Sequence, residues 1–540
     1  MPEYIDEKTI VSAQPKPNEG RKILFASCLG TVFEWYDFFL YGALAAIIGK
    51  QFFAGVNDTT AFILALMTFA AGFVVRPFGA LLFGRLGDMI GRKYTFLITV
   101  VLMGLSTFLV GLLPTFESWG IAAPIILVSL RMLQGLALGG EYAGAATYVA
   151  EHAPKGKRGQ NTGWIQATAS MGLLLSLMVI LVCRYITGDQ FDTWGWRLPF
   201  LLSIIMVAIS AWIRLSMHES PSFEKIKAEG KQSKSPIRDA FGSWANLKVV
   251  LTALFSINAG QAVTWYTAQF YVLFFMTQFL KMDPAQANQL LIIAVVIGAP
   301  FFVLFGVLSD KIGRKPVLMT GLLLATLLYF PLFNALSQFG NPQIDAATRQ
   351  SPVTVIADPA TCTFQFDPVG KAKFDSPCDK VKTYLAKMGV PYNSEHAAPG
   401  SSVVTTVGNQ QIQGFDEAVI RKAVIDAGYP EKADPTKVNQ PMVVLVILGL
   451  MLIACMTYGP LAAFMVELFP TRIRYTSMSL PYNIGNGWIG GFLPTVSFAL
   501  VVYTGNIYYG LWYPVVVTGI SFVVGTLCIK ETKGVDLDKV

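Results

Sequence analysis

Gly84-Arg85-Leu86-Gly87-Asp88-Met89-Ile90-Gly91-Arg92-Lys93 returns 222 positions later as Gly306-Val307-Leu308-Ser309-Asp310-Lys311-Ile312-Gly313-Arg314-Lys315. Each copy of G-x-L-x-D-x-x-G-R-K stands between two long apolar runs. A membrane-embedded unit has therefore been duplicated with its charged connector in place. An anchored soluble enzyme has no reason to repeat such a pattern.

Outward from the repeat, 53% of the 540 residues are hydrophobic and only 14% are charged. The charges gather in short connectors between apolar stretches of about 20 residues, the length that crosses a bilayer. Twelve such stretches predict an all-α membrane protein in two pseudo-symmetric six-helix bundles. The expected division is a tail over 1–21, a first bundle over 22–217, a polar linker over 218–247, the start of the second bundle over 248–338, an insert over 339–440, the rest of that bundle over 441–529, and a tail over 530–540. No signal peptide is expected, since the first residues are polar and mixed in charge.

Lys and Arg set the orientation. With both termini cytoplasmic, the inner connectors collect roughly 25 of them, while the short outer ones hold Lys50, Arg184, Arg197 and Lys281. The net charge of +7 is then topological, and no nucleic-acid partner is read from it.

A second repeat, Glu151-His152-Ala153-Pro154 and Glu467-Leu468-Phe469-Pro470, is offset by 316 rather than 222. The excess is about the length of the insert, which by this topology lies outside. Within the insert, 378–388 and 415–427 read as short helices, each stopped by a glycine and then a proline. Cys362 and Cys378 are the only cysteines outside the spans, and in an oxidising compartment they are expected to form a disulfide.

Two arginines, Arg76 and Arg131, and three acids, Glu34, Asp37 and Glu141, remain inside the spans, all in the first half. Ionisable groups in a membrane are costly and usually carry function. Glu34 and Asp37 share one helix face at i, i+3, and acids able to meet either arginine are the ingredients of a proton relay. The second half offers neutral polar and aromatic groups instead. Gln261, Trp265 and Gln269 recur every four residues beside Tyr266, and Tyr482, Asn483 and Asn486 follow in span eleven. Tyr36 and Tyr41 in span one match Tyr266 and Tyr271 at a constant offset, which fits a midplane site lined by both bundles. His152, His218 and His396 fall at span ends or in the insert, the sequon at Asn57 is assigned no role, and no metal-ligand set exists.

The duplicated motif resembles the signature loop of the major facilitator superfamily, which implies twelve helices and alternating access. Arg131-Met132-Leu133-Gln134-Gly135 resembles its span-four R-x-x-Q-G motif, associated with proton coupling. More narrowly, Phe33-Glu34-Trp35-Tyr36-Asp37-Phe38, Arg76-Pro77-Phe78-Gly79, Gly139-Gly140-Glu141-Tyr142, Trp194-Gly195-Trp196-Arg197-Leu198-Pro199-Phe200 and Glu219-Ser220-Pro221 are similar to the metabolite:H⁺ symporter family of proline/betaine, shikimate, 2-oxoglutarate and citrate permeases. The insert departs from that pattern. So does the lack of a long heptad tail after Lys530.

The resemblance implies a proton-coupled symporter for a small organic acid or zwitterion, monomeric, in a bacterial inner membrane, without cofactor or enzymatic activity. Glu34, Asp37, Arg131 and Glu141 would couple protons. Arg76 or Arg131 would counter a substrate carboxylate, alongside Tyr36, Tyr41, Gln134, Gln261, Trp265, Tyr266, Gln269, Tyr482, Asn483 and Asn486. Asp88 would pair with Arg92 or cap a helix across the bundle interface as a gate. Asp310 and Arg314 would do the same, more weakly. A uniporter or exchanger, or a nutrient sensor using the insert, are the alternatives.

Overall fold

A computed structural model describes residues 17–53, 58–216, 219–363 and 374–537. Asn57, His218 and most of the tail over 1–21 lie outside them. Ten described helices are long and apolar enough to cross a membrane. Pro17–Ala43 and Asp58–Ile90 complete the expected twelve.

In the first half, spans three to six are Arg92–Leu112, Ala122–His152, Arg158–Gly195 and Arg197–Leu215. The second half contains Trp244–Phe279, Pro284–Ile312, Arg314–Gly340, Gln440–Leu468, Arg474–Thr504 and Tyr509–Cys528. Span one breaks at Leu44 into Pro17–Ala43 and Ala45–Phe52. Leu181, Leu327 and Leu527 stand exposed on the outer wall, as lipid-facing residues do.

Lipid gives apolar helices little reason to associate, so close backbone contact has to hold them. Spans two and four achieve it with glycines: a Cβ on Gly79 would sit 1.9 Å from Leu136 O, and one on Gly139 would sit 2.3 Å from Arg76 O. Gly79→Ala is expected to force the helices apart at a cost of roughly 3 kcal/mol. A lowered unfolding midpoint in detergent would show it.

Spans seven and eleven are less regular. Span seven contains π-helical turns at Leu254–Asn258, Thr267–Tyr271 and Phe275–Phe279, and span eleven one at Ile484–Gly490. Such turns insert an extra residue and concentrate at functional sites. Both helices carry the polar residues singled out above.

The two decapeptides lie at one end of the bundles, here the motif face, and the insert lies at the other. The insert forms both expected helices, Pro377–Lys387 and Glu417–Asp426, and the Cys362–Cys378 disulfide. It also holds a sheet that the helical reading lacked: β1 (Val353–Ala357), β2 (Tyr392–His396), β3 (Val404–Val407) and β4 (Gln410–Gln413), in the order β2-β1-β3-β4. β1 runs parallel to β2 and antiparallel to β3. Strands of four or five residues with Thr, Asn and Gln among them leave too short an apolar alternation to recognise.

Val355, Val381, Leu385, Ile420 and Val424 form the insert's own core. It is seated on the second bundle through Tyr392 N to Gly505 O at 3.0 Å, Ala433 N to Lys281 O at 2.8 Å and Lys382 Nζ to Tyr503 O at 3.2 Å. The disulfide spans 16 positions, and opening a loop of that size forfeits about 3 kcal/mol. Cys378→Ser should therefore make the insert the first segment cut in limited proteolysis, with the bundles intact.

Candidate functional site

Span four presents Arg131, Gln134, Glu141 and Tyr142 on its buried side. The Arg131 guanidinium lies over the Tyr41 ring, 4.1 Å from its centre, and donates to Gln134 Oε1. Gln134 Nε2 donates to Thr107 Oγ1 at 2.6 Å, and Thr107 is hydrogen-bonded to Asp37. One turn back on the same face, the Glu34 carboxyl hydrogen-bonds that of Glu141. Glu141 Oε1 in turn accepts from Arg214 Nη2 at 2.9 Å.

Arg214 corrects the sequence reading, which left only Arg76 and Arg131 as cations inside the spans. It is 1% exposed, with its guanidinium 3.6 Å from the centre of the Phe96 ring. Ser203, Ser210 and Arg214 form one buried stripe on span six. The helix geometry thus turns its last arginine inward, away from the basic linker.

Between the halves, Arg76 is 2% exposed, and its Nε donates to Asn483 Oδ1 at 3.1 Å. It also hydrogen-bonds Tyr266 and lies within electrostatic range of Glu34. Among the described residues no carboxylate pairs with it within 4.0 Å. Asn483 Nδ2 crosses to Gly139 O at 2.7 Å, and Asn486 Nδ2 reaches Gln261 Oε1 at 3.2 Å.

Aromatic rings from both halves meet around this point. Tyr142 stacks on Tyr482 at 3.6 Å between centroids, and Trp35 touches Trp265 at 5.5 Å. Tyr458 and Tyr482 share a hydroxyl hydrogen bond of 2.9 Å. Among the described residues Gln261 Nε2, Trp265 Nε1 and both amide atoms of Gln269 have no hydrogen-bond partner although buried. Buried polar atoms are otherwise nearly always satisfied.

Tyr36 does not join this group. Its hydroxyl donates to Pro199 O at 2.7 Å inside a separate first-half cluster with Tyr41 and Trp196. Neighbouring helical residues point about 100° apart, so a Trp35 that faces the other half turns Tyr36 into its own. Tyr41, Arg131 and Gln134 likewise belong to the Asp37 side of the network.

At the motif face each decapeptide caps a helix of the opposite half. Asp88 accepts from Tyr475 N at 3.2 Å and Thr476 N at 2.8 Å, at the start of span eleven. Asp310 accepts from Gly159 N at 2.9 Å and Gln160 N at 2.8 Å, at the start of span five. A carboxylate there answers both the orphan amides and the helix dipole.

Arg92 returns to Asp88 at 3.3 Å, and Arg314 to Asp310 at 2.7 Å. Arg92 also donates to Thr471 O at 2.7 Å and lies over the Phe223 ring. Gly91 and Gly313 turn the chain with φ of 117° and 110°. A Cβ on either would strike Glu219 or Glu531, which cap the next helix at Arg92 N and Arg314 N.

The sequence profile of the sugar (and other) transporters matches residues 22–243 and 423–540, more than half of the chain. The chain belongs to that family, within the major facilitator superfamily. A second profile, MFS/sugar transport protein, matches residues 143–357 of the transporter. Neither covers 358–422, the middle of the insert.

Over 341 residues the transporter is 36% identical to the shikimate transporter of Escherichia coli, covering 61% of this chain and 77% of that one. It is 28% identical to the glycine betaine/proline/ectoine/pipecolic acid transporter OusA of Dickeya dadantii, over 98% and 86% of the two chains. The proton:xylose symporter XylE superposes with a TM-score of 0.62 at 18% identity, over 96% of this chain and 98% of the other. Family and relatives make the protein a multi-pass membrane transporter, not an enzyme.

The transporter's clasps also recruit residues that the sequence reading used only to align the halves. Glu151 binds Arg474 at 2.6 Å, and Glu467 binds Arg314 at 3.1 Å and Arg158 at 3.4 Å. The tail crosses beneath them, with Val535 O accepting from Arg158 Nη1 at 2.7 Å and Leu537 O from Arg474 Nη2 at 3.3 Å. Asp88→Asn and Asp310→Asn, each weakening one cap by about 1 kcal/mol, should both raise thiol-reagent labelling of cysteines placed behind the clasp. If only one does, the two copies are not equivalent.

Proposed function

We propose that the transporter is a proton-coupled symporter importing a small organic acid, mono-, di- or tricarboxylate, or a zwitterion, by alternating access. One observation carries this reading: Arg76 lies buried between the halves without a carboxylate partner among the described residues, within electrostatic range of a Glu34 that is hydrogen-bonded to Glu141. A hydrogen bond between two carboxyls needs a proton on one of them. We assign that proton to Glu34, because Glu141 is the carboxyl that Arg214 pairs with at 2.9 Å.

The coupling follows from competition for one guanidinium. With Glu34 protonated, Arg76 has no internal rival and takes the substrate carboxylate in a charge-assisted bond. When the proton leaves, ionised Glu34 competes for Arg76 and the substrate is released. Asn483, Asn486, Gln261, Gln269, Tyr266, Tyr482 and Trp265 line the remainder of the substrate's surroundings. Asp37, with Thr107, Gln134 and Arg131, extends the proton path. Shikimate, proline and glycine betaine, named for the relatives, all carry a carboxylate.

The positive-inside rule places the motif face and both termini in the cytoplasm of a bacterial inner membrane, with the insert outside. The protein works as a monomer. The clasps built on Asp88, Arg92, Asp310 and Arg314 then hold the cytoplasmic side shut. Inward opening breaks both helix caps.

Purified protein in liposomes should accumulate one class among labelled monocarboxylates, dicarboxylates, tricarboxylates and betaines when an inward proton gradient is imposed, and lose it on addition of a protonophore. Equal exchange without accumulation would instead identify an uncoupled exchanger.

A further inference from the structure

A cavity that none of the candidate-site residues discussed above lines lies where the insert meets the second bundle. It is a cleft of about 280 Å³ between the end of span nine with the helix Pro342–Gln350, the edge strand β2, and the loop 505–508 joining spans eleven and twelve. Cavities at junctions between structural units, with a few convergent polar groups, are the usual places for small molecules.

Its walls are fixed before any ligand arrives. Tyr392 donates its N–H to Gly505 O and its hydroxyl to Val502 O. Gly505 has φ of 80°, and a Cβ there would lie 2.1 Å from Tyr392 O, so only glycine allows the two chains to approach. Across the cleft, Asn341 Nδ2 is tied to Leu280 O at 2.8 Å.

The lining is polar along one wall and carries one charge. Ser337 Oγ spends its proton on Phe333 O at 3.2 Å, and Thr348 Oγ1 spends its own on Ile344 O at 2.8 Å. Each hydroxyl oxygen can still accept a hydrogen bond, and Thr348 shares its own with Tyr429. The Tyr508 phenol lies within hydrogen-bond reach of Ser337 and in electrostatic contact with Asp345. Asp345 is the only charged residue among those lining the cleft, and no Lys or Arg lines it. Its carboxylate is half-exposed and bonded to Arg349 at 2.7 Å. A carboxylate as the one formal charge of the lining, with hydroxyl and amide oxygens beside it, suits a cation that donates N–H bonds.

We propose that this cleft binds a small primary ammonium compound, at a site separate from the transport site and opposite to it in charge. Span eleven, which carries Tyr482, Asn483 and Asn486, ends at its wall.

Calorimetric titration of the purified full-length protein with butylammonium, butyrate and butanol tests the assignment. Saturable binding of butylammonium alone is expected. Asp345→Asn should weaken it at least tenfold. Arg349→Gln breaks the same ion pair but leaves the carboxylate, and should bind no more weakly than the native protein. Arg76→Gln should leave the titration unchanged, which separates this site from the transport site. The proposal is overturned if butylammonium does not bind, if butyrate or butanol binds equally well, if binding survives Asp345→Asn, or if it vanishes in Arg76→Gln. Because Asp345 is half-exposed, its variant should keep the native unfolding midpoint, so a lost titration reports the site and not the fold.

Discussion

Arg76→Gln is expected to abolish measurable uptake at substrate concentrations that saturate the native protein, while the protein still folds. The glutamine amide can still donate to Asn483 Oδ1, which Arg76 Nε contacts at 3.1 Å, so the tie between the halves survives. What disappears is the only cation at this point of the interface that lacks a carboxylate partner among the described residues. Losing a desolvated, charge-assisted contact to a carboxylate costs about 3 kcal/mol, on the order of a hundredfold in apparent affinity. Arg76→Lys should recover little, because a point charge does not reproduce the planar fork. Uptake assays across a wide substrate range would separate this from a folding defect: a KM for Arg76→Gln no higher than the native value would remove Arg76 from the substrate's contacts.

The second large effect concerns Glu141 and Arg214. Either change alone strands a buried charge, since the pair is bonded at 2.9 Å and both side chains are almost fully enclosed. Breaking one side of such a pair destabilises by about 3–5 kcal/mol, whereas replacing both by neutral groups of similar volume is often tolerated. Glu141→Gln and Arg214→Met should therefore each lower the unfolding midpoint sharply, and the double variant should regain much of it. Transport should not follow stability. The double variant should exchange substrate across the membrane but fail to accumulate it against a gradient, because Glu34 no longer has an ionised partner to hold its proton. A network that only fixed helix packing would regain accumulation along with stability.

How far the sequence could lead depended on whether a residue's surroundings were local. Asp88 and Asp310 were legible because duplication marks them, and because a carboxylate followed by Gly-Arg-Lys at a helix end has few uses. Glu34, Asp37, Arg76, Arg131 and Glu141 stood out against apolar runs. Arg214 did not, because it ends its span beside a Lys-rich linker, where composition cannot tell an inward arginine from a solvated one. Only the stripe Ser203, Ser210, Arg214 carried that signal.

Tyr36 misled for the complementary reason. Its match to Tyr266 is real in sequence, but one step along a helix decides which bundle a side chain enters. Glu151 and Glu467 were seen as markers of the repeat, yet their work in the clasps depends on Arg474, Arg158 and Arg314 arriving from distant segments. The insert's sheet depends in the same way on pairing β1 with β2 and β3 across intervening chain.

The central claim is that substrate and proton move together through Arg76, Glu34 and Glu141. The most direct measurement is the pH of a weakly buffered suspension of proteoliposomes when substrate is added outside, with no gradient imposed beforehand. The native transporter should draw protons in with its substrate and make the medium more alkaline. The Glu141→Gln, Arg214→Met double variant should take up substrate by exchange with no change in external pH. Substrate entry without alkalinisation in the native protein, or undiminished alkalinisation in the double variant, would contradict the account.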